Sequence, residues 1–336
     1  MPAAADIPSG TTPDQPPHVP VMPDEVVELL APEPGDTIVD GTFGAGGHAR
    51  LLAARLHGDG LYVGIDRDPS AAARFDAFAA EVAPLPTRFV AATFPDGLRS
   101  LAHEGLSADA VMLDIGVSSM QLDQPERGFS YAHDAPLDMR MDPSGGTSAA
   151  EFVAHADERE LERILREYGE ERYARRIARG IVARRELEPI DRTTQLVDVV
   201  LGSIPVAARH APGGHPARRT FQALRIAVND ELSMLDDGLD AALELLAPGG
   251  RLLVLSFHSL EDRIVKRRFE AWAGRCTCPP GLPVCACGAV RRAEPLVRGL
   301  LLPTEAEVDA NPRAASTRLR AVRRVEPPIP LAEVGR

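Results

Sequence analysis

The chain has 336 residues, 44% of them apolar and 26% charged, and a net charge of −12. That composition is ordinary for a globular protein, and the length allows a large core and two domains. No apolar run approaches the ~20 residues that cross a bilayer, and residues 1–17 lack the basic and apolar blocks of a signal peptide, so the sequence predicts a cytoplasmic protein with a disordered lead and no membrane partner.

After that lead, Pro23 to Leu30 reads as a short helix that Pro32 to Gly35 ends. An apolar strand, Thr37 to Val39, runs into a glycine-rich turn, and the next helix carries Leu51, Leu52 and Leu56 on one face. A strand at Tyr62 to Ile65, an alanine-rich helix at Ser70 to Glu81, a strand near Arg88 to Ala91 and a helix around Leu98 to Glu104 follow. The apolar run Ala110 to Leu113 then ends in Asp114. Alternation of this kind predicts a parallel, doubly wound α/β sheet. From Gly116 to about Asp142 no period is convincing. Residues 157–187 place Leu161, Ile164, Leu165, Tyr168, Ile177 and Ile181 at near-helical spacing, interrupted by Gly169 and Gly180. A helix at Thr194 to Leu201 and a Gly/Pro/His/Arg loop at 209–219 come next. One helix from Phe221 to about Leu246, a turn at Ala247 to Arg251 and a buried strand at Leu252 to Ser256 resume the sheet. The chain thus divides into an α/β domain of residues 18–122 and 223–325, a mostly helical insertion at 123–222 and a tail at 326–336.

The turn between Asp40 and His48 contains Gly41, Gly44, Gly46 and Gly47, and Asp66 lies 20 residues after Gly46. A strand, a glycine turn opening a helix and an acid at the tip of the next strand make a nucleoside half-site: glycine lets backbone approach the ligand, and the carboxylate accepts from ribose hydroxyls. The dinucleotide pattern G-x-G-x-x-G is absent, and Asp40 before the glycines would repel a phosphate. It suits a ligand with a positive charge and an amino group, such as S-adenosylmethionine. The competing reading is a glycine-rich turn that binds nothing.

Charge is unevenly spread. Residues 1–150 carry 8 basic against 22 acidic side chains (−14), residues 151–336 carry 29 against 27 (+2), and residues 175–225 hold ten arginines against four acids (+6). Arginine suits bidentate phosphate contacts, and a solvated helix face is the plain alternative. All four cysteines fall within twelve residues, Cys276, Cys278, Cys285 and Cys287, as C-x-C-x6-C-x-C. Four thiolates can hold structural zinc, although C-x-C is tighter than the usual C-x2-4-C. A proline-rich surface loop of reduced thiols is the other reading, and no metal is assigned.

Longer motifs carry a resemblance. Asp114-Ile115-Gly116-Val117-Ser118-Ser119-Met120-Gln121-Leu122-Asp123, Arg127-Gly128-Phe129-Ser130 and Pro136-Leu137-Asp138-Met139-Arg140-Met141-Asp142 stand in this order. Tyr168-Gly169-Glu170-Glu171-Arg172, Ser256-Phe257-His258-Ser259-Leu260-Glu261-Asp262 and Asn311-Pro312-Arg313-Ala314 follow. From about Pro20 to Arg324 the chain resembles the RsmH (MraW) family of bacterial 16S ribosomal RNA cytidine-N4 methyltransferases. The resemblance implies a class I, Rossmann-like methyltransferase fold with an inserted helical substrate domain. S-adenosylmethionine is then the cofactor, and 16S ribosomal RNA or the small ribosomal subunit is the partner. A homodimer is left open.

By the same resemblance the cofactor residues fall on Gly46, Gly47, His48, Asp66, Phe94, Asp114 and Gln121. The Asp/Asn/Ser-Pro-Pro-aromatic tetrapeptide of many amino-methyltransferases is replaced by Asp114-Ile115-Gly116-Val117. Asp114 and Asp138 are therefore the candidate acceptors for the amine's N–H groups, with His258 as an outer choice. Arg218 and Arg219, with Arg140, Phe129 and Tyr131, are the candidates to hold RNA through phosphate contacts and a splayed base. A non-catalytic nucleic-acid binder on the same fold is the rival hypothesis, and methyl transfer from labelled cofactor separates the two.

Overall fold

The computed structural model describes residues 20–117, 121, 124–210, 214–276, 278 and 287–330. The expected lead at 1–17 and Cys285 lie outside the described residues. Seven strands, β1 (Thr37–Asp40), β2 (Leu61–Asp66), β3 (Thr87–Ala91), β4 (Ala108–Asp114), β5 (Leu246–Ser256), β6 (Val290–Pro295) and β7 (Arg318–Pro330), form one sheet in the order β3-β2-β1-β4-β5-β7-β6. The first five are parallel, and β7 enters antiparallel between β5 and β6. The sheet is therefore mixed, where an all-parallel one was expected. This is the class I, Rossmann-like methyltransferase arrangement.

Strand residues alternate between two buried layers. Val39, Val63, Val111, Leu113, Leu252 and Val254 pack with Leu98, Leu101, Leu235 and Leu239 on one face. Ile38, Tyr62, Met112, Leu253 and Leu255 pack with Leu52, Phe75 and Phe78 on the other. Burial on both faces is why these strands read as continuous apolar runs. Each fully buried Leu or Ile here contributes about 1.5–3 kcal/mol of transfer free energy.

A third core is built from buried residues between Phe129 and Leu224. The helices Ala149–His155, Glu158–Glu167, Ala174–Arg185, Thr193–Ser203, Val206–Arg209 and Arg218–Asn229 surround it. The charged region at 157–187 is two helices, parted at Gly169, where a Cβ would lie 2.7 Å from the Arg219 carbonyl, and at Glu170 (φ 47°). Gly180 sits inside the second helix, where a Cβ would meet Ser203 Oγ at 2.2 Å.

Three further expectations need correction. The single helix from Phe221 to Leu246 is two, Arg218–Asn229 and Glu231–Leu245, broken at Asp230 in the left-handed region (φ 50°). The break follows from Asn229, whose side chain accepts from Met141 N (2.8 Å) and donates to Met139 O (2.7 Å). The expected turn at 247–251 is an interruption within β5: Leu246 pairs with Ala108 and Arg251 with Ala110, so the residues between them loop out of the ladder. The expected tail from 326 begins too early, because β7 continues through Pro330.

Candidate active site

The chain order reverses between β1 and β4, which lie side by side, and ligands of open α/β sheets collect at the carboxyl ends of strands at such a point. Asp40, Asp66 and Asp114 are the last residues of β1, β2 and β4. The turn after β1 is compact: a Cβ on Gly41 would lie 2.5 Å from Leu113 Cδ2. Gly46 has φ 74°, and a Cβ there would lie 2.9 Å from the Phe43 ring. Arg74 Nε donates to Gly44 O (2.9 Å), and Arg50 Nη1 donates to Gly46 O (3.0 Å), so two guanidinium groups fix the carbonyls of the turn. Gly47 opens the following helix, Gly47–Arg55.

Asp66 is held from two sides. Its Oδ2 accepts from Gly44 N and its Oδ1 from Asp68 N, both at 2.8 Å. Burial nevertheless pushes the carboxyl above its ordinary range. Asp40 behaves differently from the sequence reading. It is buried, with its oxygens taken by Thr42 N (3.0 Å) and the Tyr62 hydroxyl (3.1 Å), and it braces the turn from inside.

Asp114 donates its backbone N–H to Thr42 Oγ1 (2.6 Å), which ties the end of β4 to the glycine turn. Its carboxyl is pushed up to about 7, first by burial and then by the negative charge of Glu261. His48 is the buried second residue of its helix. Its Nε2 lies 2.8 Å from the Val21 carbonyl, which can only accept, so Nε2 carries the proton. Nδ1 faces Asp114 Oδ2 at 3.6 Å. Burial holds the imidazole pKa below its ordinary value.

Phe94 begins the helix Phe94–His103, capped by the Thr93 hydroxyl, and lays its ring on Gly238, where a Cβ would come within 2.0 Å of it. Gln121 is buried, and its Nε2 donates to Asp68 Oδ2 (3.1 Å). Arg127 Nη1 donates to the same oxygen at 3.1 Å. Burial raises the Asp68 pKa, but hydrogen bonds from Ser70 and Gln121, with Arg127 beside them, outweigh it and hold the carboxyl low. Asp68 therefore joins the tip of β2 to the segment entering the helical core, a role that sequence reasoning missed. Arg67 makes a parallel connection, donating to Asn229 O (3.3 Å). Their signal was present only as Asp66-Arg67-Asp68; the partners lie 53–162 residues away.

The remaining candidates are placed less as expected. Both oxygens of Asp138 are engaged by Arg140, through Nε at 2.8 Å and Nη2 at 2.7 Å, and this pairing lowers the carboxyl pKa. His258 caps the helix Ser259–Trp272. Its Nδ1 accepts from Glu261 N (3.4 Å), and Glu261 Oε2 accepts from Phe257 N (2.7 Å) and His258 N (3.2 Å). Arg225 grips Glu231 in bidentate fashion at 2.8 Å and supplies a cation to this buried acidic patch. Phe129 is only 7% exposed, inside the helical core, so the base-stacking role expected of it has no open ring to rest on. Tyr131 stacks on His215 at 4.8 Å. Arg218 and Arg219 are exposed at the start of their helix, and Arg219 Nη1 donates to Glu170 O (3.2 Å). Cys276, Cys278 and Cys287 converge beyond the helix Ser259–Trp272. Among the described residues no helix is long and apolar enough to cross a membrane.

Known proteins resemble this chain over most of its length. The model of the MraW methylase family matches residues 15–325. A protein of Heliobacterium modesticaldum named ribosomal RNA small subunit methyltransferase H is 50% identical over 310 residues, covering 92% of this chain and 98% of the relative. The proteins of the same name from Symbiobacterium thermophilum (52% over 308 residues, 91% and 96% covered) and Geobacter sulfurreducens (51% over 313 residues, 92% and 99% covered) are equally similar.

Proposed function

The chain belongs to the MraW methylase family, and from that premise we propose that it methylates the exocyclic N4 amine of a cytidine in the decoding region of 16S ribosomal RNA, with S-adenosylmethionine as donor. The observation that carries the reading is the pair of desolvated carboxylates, Asp66 and Asp114, at the ends of β2 and β4 on either side of a turn with a left-handed glycine. Acceptors short of positive partners fit a ligand that brings hydroxyl donors and its own positive charge. Gly46, Gly47, His48, Asp66, Phe94, Asp114 and Gln121 would hold it. When bound, the cofactor supplies a methyl group activated on a sulfonium.

The protein's own task is to orient the amine and take its proton. A cytosine amine is a weak nucleophile because its lone pair is delocalised into the ring. An acceptor on its N–H favours pyramidalisation and gains strength as the nitrogen becomes positive. Asp114 is that acceptor in this reading. It lies at the strand end, its ionised form is poised near neutrality, and its oxygens are not clamped by an arginine, as those of Asp138 are. Residues 123–222 form the RNA-holding lobe, with Arg218 and Arg219 on phosphates.

Nucleoside mass spectrometry tests the proposal. Ribosomal RNA from cells lacking the gene should lose N4-methylcytidine at one position. The purified chain with labelled cofactor should restore it on naked RNA or on the small subunit. Retention of the modified nucleoside in the deletion strain, or no transfer to either acceptor, refutes the assignment.

A further inference from the structure

The four cysteines take no part in the site above. They are the only cysteines of the chain and lie within twelve residues, between the helix Ser259–Trp272 and β6. The structure brings the described three together: one sulfur from each of Cys276, Cys278 and Cys287 lies within 4.8 Å of the others, and the Cys276 and Cys287 sulfurs are 3.8 Å apart. Hydrophobic packing does not explain this gathering, because Cys276 and Cys287 are exposed. Covalent pairing does not describe the Cys276–Cys287 contact, because a disulfide needs about 2.0 Å. Sulfurs about 2.3 Å from one ion at tetrahedral angles sit about 3.8 Å apart, the separation seen here.

A second observation points the same way. The backbone N–H of Cys278 is directed at Cys276 Sγ at 3.4 Å. A thiol is a weak acceptor of such a bond, whereas an ionised acceptor is a strong one. The tight C-x-C spacing thus turns the second residue's own amide onto the first residue's sulfur.

We infer that Cys276, Cys278 and Cys287 bind a zinc ion as thiolates. Soft sulfur donors select zinc over hard cations. The clip ties the end of the helix Ser259–Trp272 to the start of β6, which pairs with β7 at the end of the strand order.

The experiment uses the full chain, purified with reductant and without chelator. Elemental analysis should find about one zinc per chain, released by a thiol-modifying reagent, since thiolate ligation is what holds the metal. Cobalt exchanged for the zinc should show sulfur-to-metal charge-transfer absorption. C276S and C287S should each lose the metal and the cobalt spectrum while still binding S-adenosylmethionine, which separates loss of the clip from loss of the fold. Four titratable thiols with no metal, iron in place of zinc, two thiols only in reductant-free protein, or zinc content unchanged in C276S and C287S would each overturn the inference.

Discussion

His48 donates its Nε2 proton to the Val21 carbonyl at 2.8 Å and turns an unprotonated Nδ1 toward Asp114 Oδ2, 3.6 Å away. A lone pair facing a carboxylate disfavours the ionised acid, and burial with the Glu261 charge already lifts the Asp114 pKa to about 7. Asp40, to which the Tyr62 hydroxyl donates, and Glu307 add negative charge near the histidine, and Glu261 adds it near Asp114. Two opposite pH dependences follow. Asp114 accepts an amine proton only when ionised, so single-turnover methylation should rise through about pH 7. Asp114→Asn should lower the rate ~10²-fold or more and flatten that rise. A parental rate in the folded variant would remove Asp114 from the chemistry.

Stability runs the other way. A carboxyl whose folded pKa is raised from 3.8 to about 7 is favoured in its protonated form, so that contribution is fully present below 3.8 and is lost as the pH climbs to about 7. Asp114→Asn should therefore stabilise the protein at pH 8 by on the order of 2–4 kcal/mol and do little at pH 4. Glu261→Gln retains an acceptor oxygen for the helix cap but removes the charge. It should move the midpoint of the methylation profile to lower pH. Melts and pH–rate profiles of the same preparations decide both points, and an unmoved midpoint would exclude Glu261 as a determinant of the Asp114 charge.

Asp66→Ala should weaken S-adenosylmethionine binding by roughly 1.5–3 kcal/mol, the range for hydrogen bonds to a charged group. The variant also frees Gly44 N and Asp68 N, the two amides that now orient the carboxylate, so its affinity should be compared with Asp66→Asn. Calorimetry with unchanged affinity in both variants would take Asp66 out of the site.

Arg218 and Arg219 are exposed, and Arg219 Nη1 donates to the Glu170 backbone carbonyl. Replacing both by alanine should lower RNA affinity and reduce the slope of its salt dependence by up to ~2. Cofactor affinity should be unchanged. A salt slope equal to that of the parent would make this pair a solvated surface.

What was legible in the sequence follows from where the information lies. Ile38-Val39 and Leu252 to Leu255 are buried on both sheet faces, so their apolar runs announced strands. β7 reads Arg318-Leu319-Arg320-Ala321-Val322-Arg323, and its arginines look wrong for a central strand until Arg320 meets Asp262 and Arg323 meets Glu294. The helix break at Asp230 was equally hidden, because Asn229 takes its partners from residues 88 and 90 positions away. The acids at strand tips were readable from local pattern. Asp68, which binds Gln121 and Arg127, was not, since that role exists only once distant segments meet.

Asp138 gives the sharpest test of a local motif against its folded setting. Its place in Leu137-Asp138-Met139-Arg140 suits an amine acceptor, yet both oxygens are held by Arg140, and its backbone carbonyl accepts from Ala149 N at 2.7 Å. A carboxylate held this way stiffens the loop, and its low pKa means the stabilisation is present above the ordinary carboxylate range and lost as pH falls through the folded value. Asp138→Ala and Arg140→Ala should each destabilise the fold, and the double variant should show a coupling of about 1 kcal/mol between them. Single-turnover methylation at saturating cofactor should stay near parental in the folded fraction of each. A ~10²-fold loss of rate in Asp138→Ala alone, with Arg140→Ala active and both folded, would return the acceptor role to Asp138 and leave Asp114 as a cofactor ligand.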